Sequence, residues 1–379
     1  MRMLKYSILL FLLPFTLAGL ANEQPVRVGL LHKDKVYYSH FKVNRGTYRL
    51  YGDGKYIATL QKNQKIHFSF GKKVKLQLYD SVYVATTFKL KGQDYVNHFL
   101  LSTKFHKDQS YDDDLEVGQK TNSLKLINEV NLENYVSSVV EGEAGYRLPA
   151  EFYKLQAILS RTYALKNINR HTTEGFNVCD KVHCQVYHHK CTKDDIYETT
   201  IATNSLVVVD DELNLINTIF HSNCGGQTCN SEDVWNKKLN YLRCVKDSFC
   251  LRSSSALWKK SIPKTKLHSY FGRYNVAEKV EDDMFTLCQV DQRNDSNYFL
   301  SVPLTKMRRD LKLRSTYFYI EEKGDSAVLY GRGYGHGVGL CQQGGMEMAN
   351  QGYGYVDILK YYYKGIHIIN RKALKFFQE

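Results

Sequence analysis

One stretch, Glu133–Lys166 (ENYVSSVVEGEAGYRLPAEFYKLQAILSRTYALK), constrains the fold more than any other. Its apolar run Tyr135–Val140 ends in two carboxylates, Glu141 and Glu143, on either side of Gly142. Pro149 then opens a helix, since proline is favoured at the first helical position, where its missing N–H costs nothing. Phe152, Leu155, Leu159, Thr162 and Leu165 recur at three- and four-residue steps, which turns one side of that helix toward a core. A glutamate beside glycine, ahead of such a helix and with no basic residue before Arg147, is a candidate acid. Partial burial would raise its pKa and keep its proton on. The plainer reading is an acidic loop that precedes a helix N-terminus, where negative charge is favoured.

Upstream, residues 25–124 hold the runs VRVGLL, KVYYSHFKV, TYRLYG, KYIATL, KIHFSF, KVKLQLY and SVYVATTFKL between Gly-, Asn-, Asp- and Lys-rich turns. These alternating, β-branched segments predict a β-rich region over 22–120, with QSYDDD (109–114) as a surface turn. At the start, Arg2 and Lys5 precede the apolar Ile8–Leu17, and Gly19-Leu20-Ala21 offers a small-residue cleavage site. Residues 1–21 therefore read as a signal peptide. The apolar part is short of the roughly 20 residues that span a bilayer, and no other run is long enough. The expectation is an exported protein of the periplasm or cell envelope, with no transmembrane segment beyond the signal.

Charge narrows the partners. The chain has 52 basic and 39 acidic residues, a formal +13, and without Arg2 and Lys5 the remainder carries +11. A basic surface on a chain with 29 tyrosines and five prolines suits a folded protein that meets an anionic partner. Export argues against nucleic acid. Wall glycan, an acidic polymer or a membrane surface fits better, and tyrosine rings pack well on sugar C–H faces.

Two further regions carry candidate chemistry. In FNVCDKVHCQVY (176–187), Cys179, His183 and Cys184 form a C-x3-H-C pattern, with His171 upstream. Thiolate and imidazole are zinc's preferred ligands, and four would close a structural site; disulfide pairing in an oxidising compartment is the competing reading. Nine cysteines are an odd count, so at least one is unpaired or metal-bound unless it pairs between chains. FHSNCGGQT (220–228) sets His221, Ser222 and Cys224 ahead of two glycines. A Cys/His nucleophile pair is one reading and a structural cysteine the other. Toward the end, LYGRGYGHGVGLCQQGG (329–345) spaces glycines alternately from 331 to 339. No βαβ unit surrounds it, which removes the dinucleotide reading. Alternation predicts an extended segment with Arg332, Tyr334 and His336 on one face.

Taken in order, INEVNLENYVSSVVEGEA (127–144), KLQAILSRTYAL (154–165), FNVCDKVHCQVY, FHSNCGGQT, DVW with YLRCV (233–245), GRGYGHGVGLCQQGG (331–345) and DILKYYYKG (357–365) resemble the SpoIID family, the domain shared with the amidase-enhancer LytB proteins. The resemblance covers about 250 residues and matches the β-rich region only loosely. It implies an α+β fold with a core domain over 121–379, within which 263–304 is a candidate insertion. It also implies a lytic transglycosylase that cleaves MurNAc–GlcNAc bonds in peptide-stripped peptidoglycan, with Glu143 in the motif's acid position. The alternative is a non-catalytic wall-binding enhancer of an N-acetylmuramoyl-L-alanine amidase. By the same resemblance, His171, Cys179, His183 and Cys184 would hold one structural zinc ion. Arg161, Tyr163, His221, Ser222, Arg332, Tyr334, His336 and Gln342 would face the glycan. The family's Ser-Gln-Trp-Gly-Ala is replaced here by Cys341-Gln342-Gln343-Gly344-Gly345, and its Met-Pro after the acid by Ala144-Gly145.

Overall fold

The computed structural model describes residues 25–104, 106–274 and 298–376. The expected signal peptide lies outside the described residues.

Alternation does in the first hundred residues what its period dictates. In Tyr38–Arg45 the side chains of Ser39, Phe41 and Val43 turn inward, and in Val74–Leu78 those of Val74, Leu76 and Leu78, with Lys75 and Gln77 outside. Tyr48–Gly52 and Lys55–Leu60 are joined by Asp53-Gly54, both at positive φ, the requirement of the tight turn whose twist matches a hairpin. Two sheets result. The seven-stranded one runs Val178–Cys179, Val26–Leu30, Ser123–Val130, Asp114–Lys120, Phe88–Gly92, Tyr48–Gly52, Lys55–Leu60. The six-stranded one runs Gln109–Asp112, His98–Thr103, Tyr38–Arg45, Lys65–Ser69, Val74–Leu78, Ser81–Ala85. Neighbours are antiparallel except Val178–Cys179, which lies parallel to Val26–Leu30 with Gly29 opposite Cys179.

Two expectations change here. QSYDDD is not a surface turn: Gln109–Asp112 pairs with His98–Thr103, and Asp112 is buried 3.2 Å from the His98 ring. The boundary expected after residue 120 falls inside the hairpin of Asp114–Lys120 and Ser123–Val130. Propensity ends neither strand there, because Leu124, Leu126 and Ile127 still have sheet core to fill.

Aromatic rings carry that core into the helices. Phe41 stacks on Phe99 (5.1 Å), Phe99 on Tyr111 (5.6 Å), Tyr111 leans on Tyr187 (6.0 Å), and Tyr187 stacks on Tyr135 (5.3 Å). Each such pair adds about 0.5–1.5 kcal/mol beyond burial, so the column couples sheet and helix strongly. Tyr135 belongs to helix α1, Leu132–Ala144, capped by Asn131, whose side chain accepts the Glu133 amide. Helix α2, Ala150–Lys166, follows with Pro149 as its N-cap. It is buried on nearly every side rather than one. Tyr153, Ala157 and Ala164 join the sheet core, while Phe152, Leu155, Ile158 and Leu159 join a second core with Leu340, Ile358 and Tyr362. Helix α3, Asp194–Ala202, packs against both α1 and α2.

A third cluster has its own centre in Trp258, Phe271, Met307, Phe318 and Leu329. It is built by the three-stranded sheet Leu257–Pro263, Ser326–Arg332, Phe318–Lys323 and the helices Lys264–Gly272 and Leu304–Asp310. The candidate insertion at 263–304 is thus part of a larger lobe, and its residues 275–297 lie outside the described ones. The chain is α+β. No helix among the described residues is long and apolar enough to cross a membrane.

Candidate functional site

Glu141 and Glu143 sit on the last turn of α1, not in a loop ahead of α2. Gly142 separates them for a packing reason: a Cβ there would meet the Val186 carbonyl oxygen at 2.9 Å. That close approach lets the Val186 N–H donate to Glu143 Oε1 at 2.9 Å, the one hydrogen bond this carboxylate takes among the described residues. Burial raises the Glu143 pKa, and the single amide bond only partly opposes it. Its place at a helix C-terminus, the negative end of the peptide dipole, adds to the penalty on the charged form. Glu141 goes the other way. Burial pushes it up, but the Thr192 amide and hydroxyl, each donating at 2.6 Å, hold it below the ordinary glutamate range. The environments of two carboxylates that flank one glycine thus push their pKa values in opposite directions, Glu143 up and Glu141 down, the pattern that marks acid–base assignments.

Beside them lies the His/Cys group. One donor atom from each of His171, Cys179, His183 and Cys184 lies within 4.8 Å of the others. Cys184 Sγ is 3.4 Å from His171 Nε2, and His183 Nδ1 lies 3.8 and 3.7 Å from the sulfurs of Cys179 and Cys184. His171 Nδ1 meets Glu174 Oε1 at 2.6 Å while its ring stacks on Phe176 at 4.9 Å. A carboxylate on the far nitrogen leaves Nε2 to face the thiols, the support that metal-bound histidines have. The donor set and its supports fit zinc, and four protein ligands would leave no position for a catalytic water. Tyr135 lies within electrostatic reach of Glu143, Tyr163, Cys179 and Cys184, which puts acid and His/Cys group in one neighbourhood.

Of the residues expected to face substrate, Tyr163 belongs to this neighbourhood, its hydroxyl 2.5 Å from Arg170 and 3.5 Å from the His183 carbonyl. Arg161 does not. It is fully buried, bonded twice to Glu133 (2.9 and 2.5 Å) and to the carbonyls of Leu206 and Thr200, so its guanidinium ties α1 to α2 and has no face for a sugar. The exposed Arg170, which sequence reasoning missed, is the guanidinium on this side; its seven-residue spacing from Tyr163 was the available signal. Tyr135 and the Val186 amide were also missed, since neither residue type advertises chemistry.

His221, Ser222, Arg332, Tyr334, His336 and Gln342 collect around the second core instead. The glycine track is not extended: Gly333, Gly335, Gly337 and Gly339 all have positive φ. Close approach is nevertheless its purpose, since a Cβ at 335 would lie 2.7 Å from His221 Cβ and one at 339 would lie 2.1 Å from the Ile219 carbonyl oxygen. Arg332 therefore lies over the Tyr317 ring (5.8 Å), Tyr334 is exposed, and His336 turns inward. The His336 ring accepts from the Val338 amide (3.1 Å) through Nδ1, faces the Phe220 carbonyl (3.0 Å) through Nε2, and packs on Trp235 (5.0 Å) and His221 (5.3 Å). His221 Nδ1 meets the Val338 carbonyl at 3.1 Å. The Ser222 carbonyl accepts from the Gln343 amide, and Gln342 Nε2 has no hydrogen-bond partner among the described residues. Cys224 is fully buried, its sulfur toward Asp247 and Cys250 rather than His221, which removes the Cys/His nucleophile reading.

Comparison with known proteins agrees with the resemblance. Residues 120–209 match the family model described as SpoIID, stage II sporulation protein. The chain is 28% identical over 255 residues to an uncharacterised protein of Brachyspira hyodysenteriae, covering 65% of this chain and 69% of that one. It is 27% identical over 272 residues to the stage II sporulation protein D of Bacillus subtilis, 65% of this chain and 77% of the relative. To the amidase enhancer of the same organism it is 24% identical over 285 residues, 61% of this chain but only 39% of the relative.

Proposed function

The chain carries a domain of the SpoIID family at residues 120–209, and from that premise we propose that it works on the bacterial cell wall as an exported lytic transglycosylase with Glu143 as its proton carrier. The observation that carries this reading is the half-buried Glu143 carboxyl, its pKa raised by burial, two residues from Glu141, whose pKa the Thr192 hydrogen bonds lower. A glycosidase that brings in water uses two carboxylates. A transglycosylase needs one, because the nucleophile is the sugar's own 6-hydroxyl. Protonated Glu143 gives its proton to the oxygen between N-acetylmuramic acid and N-acetylglucosamine as the C1–O bond breaks. The resulting carboxylate takes the proton of the 6-hydroxyl as that oxygen closes on C1, leaving a 1,6-anhydro ring and a regenerated acid. Glu141, committed to Thr192, holds the neighbouring loop. Tyr163 and Arg170 supply a hydroxyl, a ring face and a positive charge for a lactyl carboxylate. A zinc ion on His171, Cys179, His183 and Cys184 would hold residues 171–184 in place and so fix the Val186 amide.

The likeness to an amidase enhancer supports a second reading, a wall-binding partner of an amidase. Purified chain with peptide-free glycan strands, followed by mass spectrometry, separates the two. The first expects anhydro-muramyl ends that vanish in Glu143→Gln; products that survive that substitution overturn it. The second expects no products, unchanged sacculus binding in Glu143→Gln, and an amidase whose rate rises when the chain is added.

A further inference from the structure

In the core that packs on Phe152, Leu155 and Leu159, four buried side chains from three separate segments converge. Cys224 follows the strand Phe220–His221, Asp247 precedes the turn Phe249–Arg252 and Cys250 lies within it, and Cys341 caps the helix Gln342–Asn350. Their three sulfurs and one carboxylate oxygen lie within 4.8 Å of one another. Cys224 Sγ is 3.2 Å from Asp247 Oδ2 and 3.4 Å from Cys250 Sγ. Bonded sulfurs would be about 2.05 Å apart, whereas sulfurs on one tetrahedral zinc, at about 2.3 Å from the metal, stand roughly 3.8 Å apart. At 3.4 Å the Cys224 and Cys250 sulfurs are not bonded, and they stand closer to the separation of two ligands on one ion than to that of a disulfide.

The surroundings argue for positive charge at the centre. Asp247 is fully buried, and no Lys, Arg or His among the described residues forms an ion pair with it. Its Oδ1 accepts the amides of Phe249 (3.0 Å) and Cys250 (3.3 Å), and its Oδ2 accepts the Tyr362 hydroxyl (2.9 Å). A buried carboxylate grouped with three thiols and lacking a counter-charge is costly unless a cation completes it. Backbone amides are already arranged as they are around metal-bound thiolates. Cys341 Sγ accepts from Cys224 N (3.3 Å) and Gly344 N (3.4 Å), and the amides of Gly225 and Gly226 face Cys250. Gly344 can come this close only without a side chain, since a Cβ would lie 2.4 Å from Asp247 Oδ2.

We propose that Cys224, Asp247, Cys250 and Cys341 form a second zinc site, separate from the 171–184 group, that ties the 220 segment, the 247–250 turn and the 342–350 helix together. Three thiolates and a carboxylate in a closed, dry shell select a borderline-soft divalent ion over magnesium or calcium. The site is structural, and it holds in place the segments that carry His221, His336 and Gln342. It stands independently of the role given to Glu143.

The test is metal content in the full chain purified without chelator or reductant. Two zinc ions per chain are expected, one in Cys341→Ser, one in Cys184→Ser and none in the double variant. Cobalt exchanged into Cys184→Ser should retain intense sulfur-to-metal absorption. One ion per chain that Cys184→Ser removes, or no ion at all, overturns the proposal, as does peptide mapping that finds a disulfide joining any two of residues 224, 250 and 341. Should Cys341→Ser fail to fold, the wild-type chain decides: alkylation of those three thiols only after chelation supports the site, and alkylation indifferent to chelator overturns it.

Discussion

The two sides of α2 handle polar groups differently. On the α1 side, Glu143 is half-buried with one amide donor, and the partly buried Tyr163 meets the exposed Arg170 at the His183 carbonyl. On the other side, His336 has each ring nitrogen against a backbone partner, and the glycine track is locked onto residues 219–225. A group that must exchange a proton with substrate cannot spend both faces on its own backbone. Under the proposed function, chemistry accordingly belongs to the first side and framing to the second, with α2 as the shared wall.

The largest effects should separate the sides by kind. Glu143→Gln should lower turnover about 10²–10⁴-fold, the range for losing a general acid, while the thermal midpoint holds or rises. His336→Ala should do the reverse. It leaves the Val338 amide and Phe220 carbonyl short of a partner, and thermal unfolding at matched concentration should show that loss of stability. A rate loss in His336→Ala as deep as that in Glu143→Gln, with stability intact, would move the chemistry across α2.

Next comes the seam itself. Arg161→Met strands the Glu133 carboxylate in a buried position, and breaking a buried pair costs about 3–5 kcal/mol. Urea unfolding should show that loss, and adding Glu133→Leu should recover most of it. Were Arg161 instead a sugar contact, its removal would raise KM in a chain of unchanged stability. Gly335→Ala is a smaller blow to the other side: the new methyl must displace His221, and overpacking of that kind costs about 1–3 kcal/mol, readable in the same unfolding assay.

What the sequence revealed follows from how local each feature is. The His/Cys group lies within residues 171–184, so its spacing could be read, and the structure brings its four donors together. The Cys/Asp group draws on positions 224, 247, 250 and 341, and no spacing rule spans such a gap. Cys224 could be noticed but not understood. The twofold alternation around 333–339 suggested an extended strand because positive φ leaves no mark beyond glycine itself, and close approach needs glycine equally. Arg161 misled for a different reason. A helix serving two cores is buried all round, and a motif arginine inside it looks the same in sequence as one facing solvent. The hairpins were legible because Asp-Gly turns and period-two burial are decided within a few residues.

The finest comparison is within one side, between the two carboxylates of α1's last turn, and it is expected to give the smallest effect. Burial raises Glu143, so its folded state holds the proton more tightly than the unfolded chain. The stability this contributes is present below the ordinary glutamate pKa and is lost as pH rises through the raised value. Glu141 is lowered: the Thr192 hydrogen bonds outweigh its burial, so its contribution is present above the ordinary value and lost as pH falls through the lowered one. Going from acid toward neutral pH, Glu143→Gln should therefore gain stability relative to the wild-type chain, and Glu141→Gln should lose it. Thermal midpoints of the three proteins across that range make the check. Difference curves of the same sign would mean that the Val186 amide and the Thr192 pair hold their carboxylates alike, and the acid would then have no claim to its proton at the pH where a glycosidic oxygen needs it.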